Sequence, residues 1–412
     1  MEKKEKKSTL WNKNFTIITF GTIISAIGGT AMSFAMSIVV FDNSQSTLLA
    51  GIFSAVSLIP AMVLPIVVSP YLDRFKRKPV IVGLDAIDGI LYLIFGIYLM
   101  KFPFSYPVYM LFGLITSSTG TIYNLAYTSL YPNLIEKGFA QKGYTISGMI
   151  YPTVMVIMTP AAGFLYSRFG MEFICILEGI LLVLASLIET QIKIKEKVNQ
   201  NGKFSVAQYF GDLKEGWDYL RKEKGLQRIY AYMPITQGIG QGNSSLVIAF
   251  FQTTPGFGTA LYAWFTVAEF LGRTIGGVIH YKFEIKSEKR FGFAYLVYQT
   301  YNLMDGILLL LGYPFMLMNR AVCGFLGINS ATLRESSVQN YIPDDKRAKL
   351  NALFSAITSL SCMVCYGGIG MLGEIMDYKI CLLVTSSINI IFCYLIMYRG
   401  KNQVKEIYNK KY

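Results

Sequence analysis

Histidine is almost missing from this 412-residue chain: His280 is the single one, which excludes histidine-rich metal sites. Charge is scarce as well, at 15% of residues against 53% hydrophobic, and the mean hydropathy is +0.43. A soluble domain of this length does not combine so little charge with so many long apolar runs. Glycine-rich phosphate loops and hydrolase motifs are absent. There are six cysteines, and all lie in or beside apolar segments. Cys362-Met-Val-Cys365 has redox spacing, but it falls inside an apolar run and reads as packing. The first residues form a Lys/Glu tail without a small-residue cleavage site, so no removable signal peptide is expected.

What is abundant is apolar sequence in runs of membrane-spanning length. Twelve spans of roughly 20 residues are expected. They lie near Phe15–Phe41, Leu48–Pro70, Pro79–Met100, Tyr106–Leu130, Tyr144–Tyr166, Glu172–Ile192, Leu226–Gln252, Thr259–Tyr281, Phe291–Leu311, Pro314–Val338, Leu350–Gly373 and Ile380–Tyr398. The net charge of +13 raises nucleic acid as a partner, but its distribution rejects that reading. Basic residues cluster at Lys3–Lys13, Arg74–Lys78, Lys137–Lys142, Lys193–Arg228, Lys282–Arg290, Lys346–Lys349 and Arg399–Lys411, while the alternate loops carry Lys101, Arg168, Lys379 and little else. This positive-inside pattern places both termini in the cytosol. Between the sixth and seventh spans, Val206, Phe210, Leu213, Trp217 and Leu220 recur in steps of four and three, with Lys214, Asp218, Arg221 and Lys222 on other faces. That predicts an amphipathic helix on the membrane surface, joining two halves.

The halves share features. Asp88-Gly-Ile-Leu91 recurs as Asp305-Gly-Ile-Leu308. Gly113 and Pro132 are 19 residues apart, as are Gly324 and Pro343, 211 positions on. At the same offset Thr121 pairs with Thr332 and Asn124 with Glu335, and Gly163 has a counterpart at Gly370. A duplicated six-helix unit follows. Duplicated halves are the architecture of alternating-access transporters, with substrate between them near the midplane.

The turn Ser69-Pro-Tyr-Leu-Asp-Arg-Phe-Lys-Arg-Lys-Pro79 resembles the loop between the second and third helices of major facilitator superfamily transporters. Asp73-Arg74 and Arg77-Lys78 match that loop as they stand, while Ser69 and Lys76 replace its glycines. Asp73 is placed to latch neighbouring helices through backbone N–H groups and Arg; a topogenic basic loop without a latch is the alternative. Asp212-Leu-Lys-Glu-Gly-Trp-Asp-Tyr-Leu220, Gln339-Asn-Tyr-Ile-Pro-Asp-Asp-Lys-Arg-Ala348 and Thr159-Pro-Ala-Ala-Gly163 resemble the central loop, the tenth-to-eleventh loop and the antiporter motif of macrolide-efflux exporters within that superfamily. The resemblance implies an all-α polytopic fold of twelve transmembrane helices in two pseudo-symmetric six-helix bundles, residues 1–192 and 226–412, joined by a linker at 193–225. It implies export of small amphipathic compounds coupled to protons across a bacterial cell membrane, by a monomer without cofactor or metal. One departure concerns the first span: relatives carry an acid after a Ser-x-x-Gly string, and here Ser25-Ala-Ile-Gly28 is followed by Gly29.

Charges at mid-membrane are functional or paired by default. Glu269 and Arg273 lie four apart on one helix face; they form either a proton- or substrate-responsive switch or a permanent internal pair. Asp305 and Arg320 fall at similar depth and suit a static pair. Asp85-Ala-Ile-Asp88 has the D-x-x-D spacing of a metal-diphosphate site in membrane prenyltransferases, but a second acidic motif is missing. A structural or gating role for Asp88 is the better reading. Glu335 beside Arg334 is a cytoplasmic-vestibule candidate, and Glu178 a peripheral one. The resemblance makes the first, fourth, seventh and tenth helices cavity-lining. The candidates there are Tyr123, Asn124, Tyr127, Tyr232, Gln237, Gln241, Asn329 and Thr332, uncharged polar and aromatic groups suited to an amphipathic or weakly cationic ligand. The run Thr116-Ser-Ser-Thr119 reads instead as small residues for close helix approach. A nutrient importer or lipid flippase on the same fold, and a prenyl-transferring enzyme, are the rival readings.

Overall fold

The computed structural model describes residues 10–72, 75–136, 140–194, 196, 206–282 and 285–410. The latch residues Asp73 and Arg74 lie outside the described residues. Among the described residues the chain is all helix, with no strand. Its helices are α1 (Lys13–Ser44), α2 (Thr47–Ser57), α3 (Ile59–Leu72), α4 (Arg77–Leu99), α5 (Tyr106–Leu130), α6 (Ala140–Glu189), α7 (Val206–Leu220), α8 (Lys224–Thr253), α9 (Thr259–Lys282), α10 (Arg290–Ile307), α11 (Tyr313–Tyr341), α12 (Asp344–Ile375), α13 (Tyr378–Phe392) and α14 (Lys401–Tyr408).

Each expected span falls on helix. The second is split into α2 and α3. The fifth and sixth run together in α6, broken at Gly170, whose φ of 77° is the left-handed geometry that glycine adopts without penalty. The twelfth continues from α13 through a π-helical turn, Cys393–Tyr398. Six of the described helical stretches are long and apolar enough to cross a membrane by composition alone. Polar and small residues hold the averages of α5, α8 and α11 lower, and these are the helices expected to line a cavity.

The helices cluster into two compact units. One comprises Met1–Met36 and Pro60–Phe204, the other Ser37–Ile59 and Ser205–Tyr412. They are called the N-terminal and C-terminal units below. The last turns of α1 and all of α2 thus group with the C-terminal unit.

Glycines set the tightest helix crossings. In the N-terminal unit Gly89 of α4 meets Gly179 of α6, and a Cβ on Gly179 would stand 2.8 Å from the Gly89 carbonyl oxygen. In the C-terminal unit a Cβ on Gly272 of α9 would stand 1.9 Å from the Ala321 carbonyl, and one on Gly324 of α11 would stand 2.1 Å from that of Glu269. Small residues let backbones approach in lipid, where packing rather than water exclusion holds helices together.

The α2 segment is fastened to α12. The carboxylate of Glu374 accepts hydrogen bonds from the Leu48 N–H (2.9 Å) and the Ser46 hydroxyl (2.7 Å) at the start of α2. Helix α14 is sealed onto the same unit through buried Val404, Ile407 and Tyr408. The Tyr298 and Tyr408 hydroxyls lie 2.9 Å apart there.

Candidate functional site

Five helices of the C-terminal unit contribute to one ion and hydrogen-bond system. Arg320 of α11 reaches Glu269 of α9 (Nη2 to Oε2, 2.7 Å) and Asp305 of α10 (Nη1 to Oδ1, 3.3 Å). Arg273, one turn from Glu269, donates to its other oxygen through Nη2 at 2.7 Å and Nε at 3.0 Å. Asp305 Oδ2 accepts from the Asn243 amide of α8 (2.9 Å), and Asn243 Oδ1 accepts from the Thr385 hydroxyl of α13 (2.8 Å). Two acids face two arginines, so the set is neutral when all four are ionised. Arg320 also lies over the Phe265 ring, 5.3 Å from its centroid. The close approach at Gly272 and Gly324 brings α9 near enough to α11 for Arg320 to serve both acids.

The expected Glu269–Arg273 and Asp305–Arg320 contacts are therefore both present. The bridge from Arg320 to Glu269 and the amide of Asn243 were not expected. Their sequence signal is weak: Asn243 is one polar residue in an α8 that also carries Gln237 and Gln241. Beside them a second polar chain crosses the same unit. Asn302 donates to the Tyr232 hydroxyl (3.1 Å), and Asn389 donates to Asn302 (3.0 Å) and to Thr236 (2.8 Å).

The candidate lining residues separate by burial. Tyr232 is fully enclosed, and Asn329 is 3% exposed with its amide on the Phe325 carbonyl at 2.7 Å. Both serve the packing of the C-terminal unit. Gln237 is half-buried, whereas Gln241, Asn124 and Thr332 are exposed. Gln241 accepts from the Tyr366 hydroxyl at 2.7 Å. On α5, Tyr123 and Tyr127 stack at 5.9 Å, and the Tyr127 hydroxyl meets that of Thr22 at 3.1 Å. The hydroxyls of the 116–119 run bond back to carbonyls of their own helix, as Thr116 does to Phe112 at 3.0 Å. Glu335 and Arg334 border a cavity of about 140 Å³ with Tyr230, Asn351 and Phe354.

The N-terminal unit holds buried acids of a different kind. Asp85 and Asp88 of α4 are 5% and 9% exposed, and Glu178 and Glu189 of α6 are 5% and 0% exposed. Glu189 escaped the sequence reading because it stands at the expected span's end, where water is normally near. Arg77 belongs to another contact: its backbone N–H and that of Lys78 donate to the Glu196 carboxylate, at 2.6 and 3.0 Å.

Outside the spans, the surface helix α7 is tied to α12 by Glu215, which accepts from the ammonium groups of both Lys346 and Lys349. Those two hydrogen bonds hold the Glu215 carboxyl down at about 2.

Among the described residues, an all-helical chain with six stretches long and apolar enough to cross a membrane is that of a multi-pass membrane protein. Residues 18–298 match the sequence profile of the Major Facilitator Superfamily, and the chain belongs to that family. It is 24% identical over 247 residues to Macrolide efflux protein A of Streptococcus pyogenes, covering 56% of this chain. The chain spans 58% of the length of that relative. Among solved structures it is similar to a bacterial homologue of the iron transporter ferroportin (TM-score 0.71, 14% identity, 98% of this chain and 100% of that one). It is also similar to the nucleoside transporter NupG (TM-score 0.70, 13% identity, 94% of this chain and 99% of that one). At those identities the likeness is one of fold. Family and fold are those of a small-molecule transporter, not of a prenyl-transferring enzyme.

Proposed function

We propose that this transporter exports small amphipathic compounds in exchange for protons. The observation that carries the proposal is the 24% identity to Macrolide efflux protein A. The polar but uncharged faces of α5 and α8 support it, because a phosphorylated substrate would call for clustered Arg or Lys. In this reading six-helix bundles at 1–192 and 226–412, joined through 193–225, rock about a central substrate site. Both termini face the cytosol of a bacterial cell, and the protein acts as a monomer. Tyr123, Asn124, Tyr127, Gln237, Gln241 and Thr332 meet the ligand, while Tyr232 and Asn329 hold the wall behind them. Asp73, Arg74 and Arg77 latch the cytoplasmic loop, with Asp88 and Glu335 as further gating groups. Glu269, Arg273, Asp305 and Arg320 fix the C-terminal helices to one another, and a break at Glu269 would release α9 from α11.

The test is accumulation of a labelled macrolide and of ethidium in cells with and without the chain. Lower accumulation that is restored by a protonophore is expected. Equal accumulation, with no substrate-linked pH change in vesicles, removes the exporter reading. A nutrient importer or lipid flippase on the same fold is the rival reading, and gradient-driven uptake of a nutrient, or movement of a lipid head group, in vesicles would support it.

A further inference from the structure

The charge systems of the two units differ. In the C-terminal unit each buried acid has an arginine. In the N-terminal unit Asp85, Asp88, Glu178 and Glu189 have no Lys or Arg within ion-pair distance among the described residues. The sequence explains why: neither α1 from Asn14 to Phe41 nor α5 carries a charged side chain, and the basic residues of α4 are confined to Arg77 and Lys78 at its start. Lys78 spends its ammonium on the Thr190 carbonyl, at 2.7 Å.

Helix α1 is cut to receive two of these carboxyls. Gly21, Ser25 and Gly28 share one face of α1, by their spacing of four and three. A Cβ on Gly28 would stand 1.8 Å from Glu178 Oε2, and one on Gly21 would stand 2.6 Å from Glu189 Oε1. A Cβ on Gly29 would lie 3.8 Å from Glu178 Oε1, so the carboxyl beside the Ser25–Gly29 stretch comes from α6. Both Glu189 oxygens, Glu178 Oε2 and the Ser25 hydroxyl on the same face of α1 are sealed from solvent without a hydrogen-bond partner. The facing groups are all acids or neutral. Asp88, Tyr92, Cys175 and Tyr151 lie within electrostatic range of Glu178, and Asp85, Tyr123 and Tyr127 within range of Glu189. Asp85 senses Glu178, Glu189 and Asp88 together.

We propose that Glu178 and Glu189, seated against the glycine face of α1, are the proton-binding site of the transporter. This deepens the proton-coupled reading above and rests on it. An isolated carboxylate in an apolar interior is costly, and no cation stands here to offset it. A proton removes that charge and leaves an O–H donor. A metal ion is the poorer ligand, because no group of three acids among the described residues is gathered closely enough to hold one. Loading and release of the proton change the charge directly behind α1. The opposite face of that helix, at Ile23 and Ile27, borders an apolar cavity of about 460 Å³ with Ile150 and Val154 of α6. A change of charge on one face of α1 thus reaches a candidate substrate wall on the other.

The experiment is infrared difference spectroscopy of the purified full chain, titrated from alkaline to acidic buffer, with proton-driven ethidium export from vesicles as a parallel assay. The wild type is expected to show a protonated-carboxyl band that titrates. Glu178→Gln and Glu189→Gln each lose part of it, and the double variant keeps only the share carried by Asp85 and Asp88. Glu178→Asp, which keeps a carboxyl, restores its share, and Glu269→Gln leaves the band in place. Each variant is first checked for a monodisperse peak, and Glu178→Asp remains decisive if a Gln variant does not fold. A wild type without the band, or a double variant whose band is as strong as the wild type's, overturns the proposal. Export driven by a pH gradient and untouched in the double variant overturns the proton site while leaving the exporter standing. A band that titrates as expected in a chain that moves no ethidium or macrolide overturns the exporter reading, and with it the coupling role of the pair.

Discussion

Glu269 of α9 is gripped by Arg320 of α11 at 2.7 Å, and the same guanidinium reaches Asp305 at 3.3 Å. Arg320 is thus shared between two acids, while Arg273 adds a second hold on Glu269 from a position 48% exposed. Removing the shared cation leaves two charges unpaired. Arg320→Gln is expected to destabilise the protein by about 3–5 kcal/mol, the cost typical of breaking a buried ion pair. Arg273→Gln is expected to cost less than Arg320→Gln, because it removes one of two holds on Glu269 and leaves Arg320 paired with both acids. Thermal unfolding in detergent reads both. Equal shifts for the two variants would contradict this division of roles.

The crossing of α9 and α11 depends on bare glycine. Gly324→Ala would place a methyl 2.1 Å from the Glu269 carbonyl oxygen, so the helices must move apart. A loss of about 1–3 kcal/mol is expected from overpacking. It should be accompanied by weaker dependence on Arg320, because separation lengthens its bridge. Gly327→Ala in the same helix meets only the far edge of the Tyr301 ring, at 3.7 Å, and serves as the tolerated control. Unfolding temperatures in which the control falls as far as Gly324→Ala would count against the crossing.

The sequence made part of this legible. Long apolar runs and alternating basic loops marked the spans, and the i, i+4 spacing of Glu269 and Arg273 gave their contact directly. Asp305 and Arg320 were paired by depth alone. The third partner was not readable: Arg320 reaches Glu269 only through a helix crossing created by glycines far apart in sequence. Asn243, Asn302, Thr385 and Asn389 are ordinary polar residues until the packing brings them together. Glu189 failed for a simpler reason, since position near the end of a span suggests solvent, and the fold encloses it.

Charge holds the surface helix. Glu215 is pulled down to about 2 by the hydrogen bonds from Lys346 and Lys349. A lowered carboxyl adds stability that is fully present above the unfolded value near 4.5 and is lost as pH falls through about 2. Protection of the α7 amides, the intrinsic exchange rate divided by the observed one, is therefore expected to be flat from neutral pH down to about 5, then to fall on further acidification. Glu215→Gln should show the lower protection already at neutral pH, and high salt should bring the wild type toward it, since the pair is exposed. Exchange insensitive to the substitution and to salt would contradict this attachment.

The start of α2 is capped from α12. Glu374→Gln keeps the size but weakens the bonds to Leu48 N–H and the Ser46 hydroxyl. A loss of about 0.5–2 kcal/mol is expected at this terminus. Labelling of a cysteine placed at Leu48 should become faster in the variant. An unchanged labelling rate would show that the close helix approach, where a Cβ on Gly51 would stand 2.2 Å from the Tyr366 carbonyl oxygen and one on Gly370 2.7 Å from that of Thr47, holds the segment without the carboxylate.

The account rests on proton-driven outward movement of an amphipathic solute. The most direct measurement is ethidium movement into inverted membrane vesicles under an imposed pH gradient, acidic inside. The account predicts uptake into these vesicles that collapses when the gradient is dissipated, with protons leaving as the dye enters. Dye movement indifferent to the gradient, or no movement of dye or protons, would contradict it.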